Sequence, residues 1–270
     1  MRSFMHLLMC PPDYFDVCYE INPWMDIARA PDRDRAVRQW TALRQILTEQ
    51  LGARVSLIPP QPGLPDMVFT ANAGLLHGGS FVPASFRHAQ RQGEAPYFRQ
   101  WFAEAGYPEK SLPESPEFTF EGEGDALFYG DVLLAGYGPR SDAAAYALLE
   151  GLLGCRVLPL ALVDSRWYHL DTCLIPLAPD LLAYYPGAFD AAANKALQSL
   201  PGEKIVMTEA DALNFGGNAV VIGRDVVLNA GCEALEAELA ARGFRVRATD
   251  LSEFIKAGGS AKCLVLILER

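Results

Sequence analysis

One short pattern recurs five times along this chain and constrains its fold more tightly than any other feature. Asn72-Ala-Gly-Leu-Leu-His-Gly, Asp125-Ala-Leu-Phe-Tyr-Gly and Asn218-Ala-Val-Val-Ile-Gly each run from a short polar residue through an apolar stretch to a Gly turn. The last two continue alike, as Asp131-Val-Leu-Leu-Ala-Gly136 and Asp225-Val-Val-Leu-Asn-Ala-Gly231, and Asp171-Thr-Cys-Leu-Ile-Pro and Cys263-Leu-Val-Leu-Ile-Leu are weaker copies. The polar heads at 72, 125, 171, 218 and 263 are 53, 46, 47 and 45 residues apart. Such spacing is the mark of a repeat architecture, in which units bury their apolar faces against one another. The apolar runs have strand length and β-branched content, and the Gly-centred gaps read as hairpin turns. Helices are predicted over 33–51, 96–105, 141–153, 188–200 and 233–242, where apolar residues recur at three- and four-residue spacing. One unit is therefore strand, hairpin, strand, helix, strand, and five units suggest a closed α/β ring. No linker divides the chain, so a single domain over 1–270 is expected; the alternative is a mixed sheet whose strands are alike in composition only. In a ring, Asn72, Asp125, Asp171, Asn218 and Cys263 converge on the axis. Carboxylates buried there without partners are costly unless a cationic ligand is meant to sit among them.

Composition narrows the partners. The 270 residues are 50% apolar, enough for a sizeable core, and carry 33 acids against 23 bases, a formal charge of -10. That balance repels phosphate backbones, so no nucleic-acid partner is expected, and a small cationic substrate fits better. The apolar run at the N-terminus is too short for a secretory leader and is stopped by Pro11-Pro12; no stretch is long enough to span a membrane. Six scattered cysteines without a CxxC pair read as reduced thiols of a cytoplasmic protein, and no local ligand pair suggests a zinc site.

Three segments carry chemistry. Cys263 follows the Gly-Gly-Ser loop of Lys256-Ala-Gly-Gly-Ser-Ala-Lys262, where backbone can approach a ligand closely. By itself a cysteine heading an apolar strand is an inert core residue; positive charge or a bound cation would make it a nucleophile. His169 and Asp171 share a face if extended, so the carboxylate could orient the imidazole. Glu121-Gly-Glu-Gly-Asp125 sets three carboxylates within five residues, either a solvated acidic loop or backbone packed around a site.

Taken together, Phe69-Thr-Ala-Asn72, Phe120-Glu-Gly-Glu-Gly-Asp-Ala-Leu127, His169-Leu-Asp171-Thr and Gly258-Gly-Ser-Ala-Lys-Cys263 resemble the guanidino-group-modifying superfamily, the penteins. Its members include arginine deiminases, dimethylarginine dimethylaminohydrolases, amidinotransferases and arginine dihydrolases. The resemblance implies a five-bladed α/β propeller of pseudo-fivefold ββαβ repeats. It implies Cys263 as nucleophile, His169 as acid/base, Glu121 as the key acid and Asp171 as a guanidinium contact. Deiminases look like Phe-Thr-Arg-Asp where this chain has Phe69-Thr-Ala-Asn72. Asn72, with the Ile21-Asn22-Pro-Trp-Met25 segment and the Arg91-Gln-Gly-Glu94 run, is similar to the arginine dihydrolase branch, which leaves ornithine. Other branches place a substrate-amine contact like Asp66 and a carboxylate contact like Arg140. Asn22, Arg91 and Asp125 complete the expected substrate-binding set, and Phe69 could cover the guanidinium face.

The chemistry implied is thiolate attack on a guanidinium carbon of arginine or a methylated arginine, with no metal or organic cofactor. Release of citrulline, as by a deiminase or dimethylaminohydrolase, and amidino transfer to an amine remain rival activities. A non-catalytic ribosome-binding relative is the alternative of another class, although it would have no reason to keep Cys, His and Glu in three separate repeats; a cysteine protease fits less well. The sequence leaves open a homo-oligomer.

Overall fold

The computed structural model describes residues 5–112 and 118–269 of an α/β chain, so the first four residues of the N-terminal apolar run and both ends of the single-domain span lie outside the described residues. The chain forms two compact units, Met1–Ala71 with Thr208–Arg270, and Asn72–Met207. Five small sheets are distributed between them, and each repeats one wiring scheme.

In the second unit, Ala126–Tyr129 pairs antiparallel with Val132–Tyr137, which pairs parallel with Arg156–Ala161. Leu174–Ala178, Leu181–Tyr184 and Glu203–Val206 do the same. Gly74–His77 and Ser80–Pro83 form a hairpin whose third strand is reduced to the parallel bridge between Phe81 and Glu109. In the first unit, Val220–Ile222, Asp225–Asn229 and Arg245–Thr249 repeat the scheme. The fifth sheet is assembled from both ends of the chain: Leu266–Glu269 pairs antiparallel with His6–Met9, which pairs parallel with Arg54–Leu57. Each parallel step requires a crossover, and helices supply it. They are Arg33–Gln45, Ala95–Glu104, Ala143–Leu153, Ala191–Ser199 and Glu233–Ala241, within two or three residues of the predicted helices except at the end of the first. That helix stops at Gln45 and continues as a π turn, Ile46–Gln50.

His6–Met9, Ser80–Pro83, Leu181–Tyr184 and Asp225–Asn229 are buried along their whole length. The third strands open on a charged, exposed residue, Arg54, Arg156, Glu203 or Arg245, which discourages pairing with another chain's edge. The polar heads are not strand residues, as the sequence pattern suggested. They stand in or directly after tight turns just ahead of the strands: Asn72 in Thr70–Ala73, Asp125 after Gly122–Gly124, Asp171 in Leu170–Thr172, and Asn218 and Cys263 in turns of their own. The last strand accordingly begins at Leu266, three residues after Cys263. Among the described residues no helix is long and apolar enough to cross a membrane.

Each unit has an apolar core of its own. In the second, Phe120, Leu133, Tyr146 and Leu149 pack together. In the first, Trp40 and Leu43 from the first helix and Leu47 from the π turn after it join Phe15, Phe69 and Phe254. Phe254 is fully buried, stacked on Phe15 at 4.8 Å and edge-on to Phe69 at 6.4 Å. Phe254→Ala is expected to cost about 3–5 kcal/mol, the usual penalty for emptying an aromatic site in a close-packed core, read as a fall in the denaturant midpoint at unchanged slope.

Candidate active site

In the second unit a buried polar cluster forms around Glu121, which heads the turn Gly122–Gly124 and is fully buried. Its Oε2 accepts from Arg140 Nη1 at 3.0 Å and lies 2.7 Å from His169 Nε2; its Oε1 accepts from the Arg87 backbone N–H at 3.2 Å. Burial alone would push this carboxyl up, but the Arg140 guanidinium and the bond to His169 outweigh it and hold Glu121 well below the usual carboxylate range. Burial pushes the His169 imidazole down to about 4, against the pull of Glu121. At neutral pH the pair is therefore a carboxylate and a neutral imidazole. The carboxylate can only accept, so the ring proton lies on Nε2. That leaves Nδ1 as a buried nitrogen with a free lone pair and no hydrogen-bond partner.

Asn72 is placed by a second chain of contacts. Glu94 grips Arg91 through two bonds of 2.8 Å, and Arg91 Nη1 donates to Asn72 Oδ1 at 2.7 Å. Glu94 is fully and Arg91 almost fully buried, and Arg91 lies over the Phe86 ring at 4.7 Å. Because a guanidinium only donates, the Asn72 carbonyl must face it and the amide N–H₂ must face away. One of those N–H groups makes only a long contact, 3.5 Å, to the Glu121 carbonyl. Gly124 makes room for it: a Cβ there would lie 2.1 Å from Asn72 Nδ2 and 3.4 Å from the His169 ring.

Asp125 faces inward, accepting from the Ser141 hydroxyl at 2.6 Å and from the Leu170 backbone N–H at 3.1 Å. Burial raises it well above the usual carboxylate range, against the bond from Ser141. Ser141 also accepts the Glu121 backbone N–H at 3.0 Å, tying the two acids together. Asp171 is fully buried in its own turn. Contrary to the extended reading, the segments holding Glu121 to Asp125 and His169 to Asp171 are tight turns, so the pairing of His169 is with Glu121 and not through strand alternation. Arg140 stacks on Tyr168 at 4.6 Å.

The remaining expected residues belong to the first unit. Cys263 is 2% exposed; its backbone N–H donates to Asn218 Oδ1 at 3.0 Å, and Asn218 Nδ2 donates to its sulfur at 3.0 Å. The Cys263 carbonyl accepts from Ala71 N at 3.1 Å, which joins the last turn to the segment just before Asn72. Phe69 lies against Gly259, where a Cβ would come within 2.3 Å of its ring. Asn22 donates to the Ala257 carbonyl at 3.1 Å, anchoring the 258–263 loop to the N-terminal segment, and Asp66 is buried in the turn Pro65–Val68. Among the described residues no group of three or more His, Cys, Asp or Glu side chains is arranged to hold a metal ion.

Sequence reasoning missed Glu94, Ser141 and the contact between Asn218 and the thiol. Glu94 stands in the Arg91-Gln-Gly-Glu94 run, three residues from its partner on adjacent helical turns, which is a readable signal. Nothing local marks Ser141, whose role exists only through Glu121 and Asp125.

Acid should unfold this site. In the unfolded chain the His169 imidazole takes its proton near 6.5, whereas in the fold it does so only near 4, so the unfolded state binds more protons between these values. His6 and His88, also lowered by burial, act the same way; the Glu121 contribution, present above its ordinary 4.5, is lost as pH falls below it. The thermal midpoint is expected to fall by roughly 5 °C from pH 6.5 to 4, and His169→Asn to flatten that slope, as scanning calorimetry across the range would record.

A profile of the family described as N,N dimethylarginine dimethylhydrolase, eukaryotic, matches residues 21–269. The chain is 49% identical over 271 residues to a bifunctional arginine dihydrolase/ornithine cyclodeaminase, AgrE, of a Nostoc species, covering 98% of this chain and 38% of that protein. It is 45% identical over 258 residues to the N(G),N(G)-dimethylarginine dimethylaminohydrolase of Mycobacterium tuberculosis, covering 96% of this chain and 84% of that one. The crystal structure of the product-bound N-terminal domain of ArgZ, an arginine dihydrolase from cyanobacteria, superposes with a TM-score of 0.94 at 46% identity, covering 98% of each chain. The chain thus spans well under half the length of the bifunctional relative it matches.

Proposed function

Because the chain belongs to the N,N-dimethylarginine dimethylhydrolase family, within the guanidino-group-modifying superfamily, we propose that it is a cysteine-dependent arginine dihydrolase, converting arginine to ornithine, ammonia and carbon dioxide. Five copies of one sheet scheme, with the first and last strands sharing a sheet, support reading the repeats as blades of a five-bladed α/β propeller and the whole as one catalytic domain; the scattered cysteines without a CxxC pair fit the cytoplasm.

In this reading the Cys263 thiolate attacks the guanidinium carbon. The bare Nδ1 of His169 first takes up the proton that the thiol loses and gives it to the departing ammonia, and the same nitrogen then takes a proton from the water that opens the covalent adduct. Glu121 keeps the other ring nitrogen occupied, so one nitrogen alone carries the traffic. Asp171, Asp125 and Asp66 are the substrate's cation and amine contacts, Arg140 and Asn22 hold its other end, and Phe69 backs the guanidinium; no metal or organic cofactor takes part. A second round on the bound citrulline expels the remaining terminal nitrogen as ammonia. Hydrolysis of that adduct gives a carbamate, which loses carbon dioxide.

The observation that carries the dihydrolase reading is the orientation of Asn72. Arg91 turns its carbonyl away, which leaves an N–H donor available for the neutral ureido oxygen of citrulline. A carboxylate at the same place would present only acceptors, an opposition costing about 1–3 kcal/mol, and citrulline would leave before a second attack. Release of dimethylamine from a methylated arginine is the second reading, favoured by the 45% identity to the mycobacterial relative. Incubation with arginine and with dimethylarginine, resolving citrulline, ornithine and ammonia, separates the two.

The wild type is expected to release two ammonia per arginine, and Asn72→Asp mainly one, with citrulline accumulating. A wild-type reaction that stops at citrulline would refute the dihydrolase assignment. Cys263→Ser is expected to leave the far-ultraviolet spectrum unchanged and turnover below about 1% of wild type, since losing a covalent nucleophile usually costs orders of magnitude; appreciable residual turnover would rule out covalent catalysis by this thiol.

A further inference from the structure

We propose that Asn218 stabilises the Cys263 thiolate, its side-chain amide donating an N–H to the sulfur as the thiol gives up its proton. This rests on the reading of Cys263 as nucleophile. Two contacts of 3.0 Å define the geometry. The Cys263 backbone N–H can only donate, so the atom facing it must be Asn218 Oδ1, and the amide nitrogen is thereby aimed at Sγ. The flip of this amide is fixed by its own neighbour and not by the sulfur. At 3.0 Å the N–H reaches the sulfur closely, and a donor to a charged acceptor gains most when the charge appears. Asn218 is fully buried, so no water competes for that position.

The turn presenting it is rigid. Asn218 N donates to the Phe215 carbonyl at 2.9 Å, and Phe215 holds a left-handed backbone, φ 57°. A bulky residue in that region is strained and persists only where packing over-determines it. Phe215 is almost fully buried, edge-on to Trp24 at 4.7 Å. The donor is therefore preorganised before any charge develops, which is the condition under which a single donor is worth most to catalysis. Repeat spacing put Asn218 among the residues turned toward a cationic ligand; the contacts give it the nucleophile instead.

The test follows the ultraviolet absorbance of the thiolate against pH, isolating Cys263 by subtracting the same protein carrying Cys263→Ser. Asn218→Asp keeps the oxygen that accepts the Cys263 N–H, so the loop stays placed, but sets a carboxylate against the sulfur. Asn218→Ala removes both contacts. The midpoint for thiolate formation is expected to rise by about one pH unit in Asn218→Ala, a tenfold loss of thiolate at a given pH, and further in Asn218→Asp. The ascending limb of the kcat/KM profile is expected to move with it. An unchanged midpoint in Asn218→Ala overturns the proposal, whether or not Asn218→Asp folds. So does a rise in Asn218→Ala with Asn218→Asp at the wild-type value, the pattern of a residue that only places the loop. Turnover surviving in Cys263→Ser would defeat the nucleophile reading separately, with the thiol titration still readable.

Discussion

A single carboxylate removed from water, Glu121, sets the conditions for the cluster in the second unit. A buried negative charge is tolerated only when it is paired and hydrogen-bonded, and Glu121 meets that requirement with Arg140, the Arg87 backbone and His169 at once. Because it is held ionised, it dictates which nitrogen of His169 carries the proton. Because His169 is buried, its second nitrogen is left bare. A buried neutral imidazole whose bare nitrogen is Nδ1 follows from these two facts, without any charge being stored on the ring at neutral pH.

The same economy governs the amides. Asn72 and Asn218 are chemically identical side chains, and in neither case could the sequence say which end faces which way. In one, a guanidinium locked by Glu94 takes the carbonyl; in the other, a backbone N–H does. Each orienting partner can only donate, so each amide presents its N–H₂ on the opposite side. Asn72 thereby keeps its N–H₂ turned away from Arg91 and Asn218 donates to the Cys263 sulfur, although both head the same repeated pattern. Asp125 plays a third part: it accepts the Leu170 N–H from the following turn, as Asn218 accepts the Cys263 N–H, so a polar head can also hold the next repeat in place.

Glycine in these turns acts through what it omits. Gly124 permits Asn72 and His169 to crowd the backbone, and Gly259 permits Phe69 to do so beside the Cys263 loop. Both places would be filled by a single methyl group.

By itself the sequence determined the repeat, its hairpin-and-crossover order, the helices to within a few residues over most of their length, and which polar side chains head the repeats. Those properties depend on local periodicity and on residue chemistry, which a linear string carries in full. It did not determine that Leu266–Glu269 completes a sheet begun by His6–Met9, because that pairing joins segments more than 250 residues apart. It misread the heads as strand residues, because alternation cannot distinguish an extended segment from a tight turn of similar length. Only the tertiary structure decided that His169 bonds Glu121, 48 residues away, that Glu94 and Arg91 turn Asn72, and that Asn218 brackets Cys263. Hydrogen bonds are directional over about 3 Å, and which donor meets which acceptor is fixed only when distant turns are packed to that tolerance.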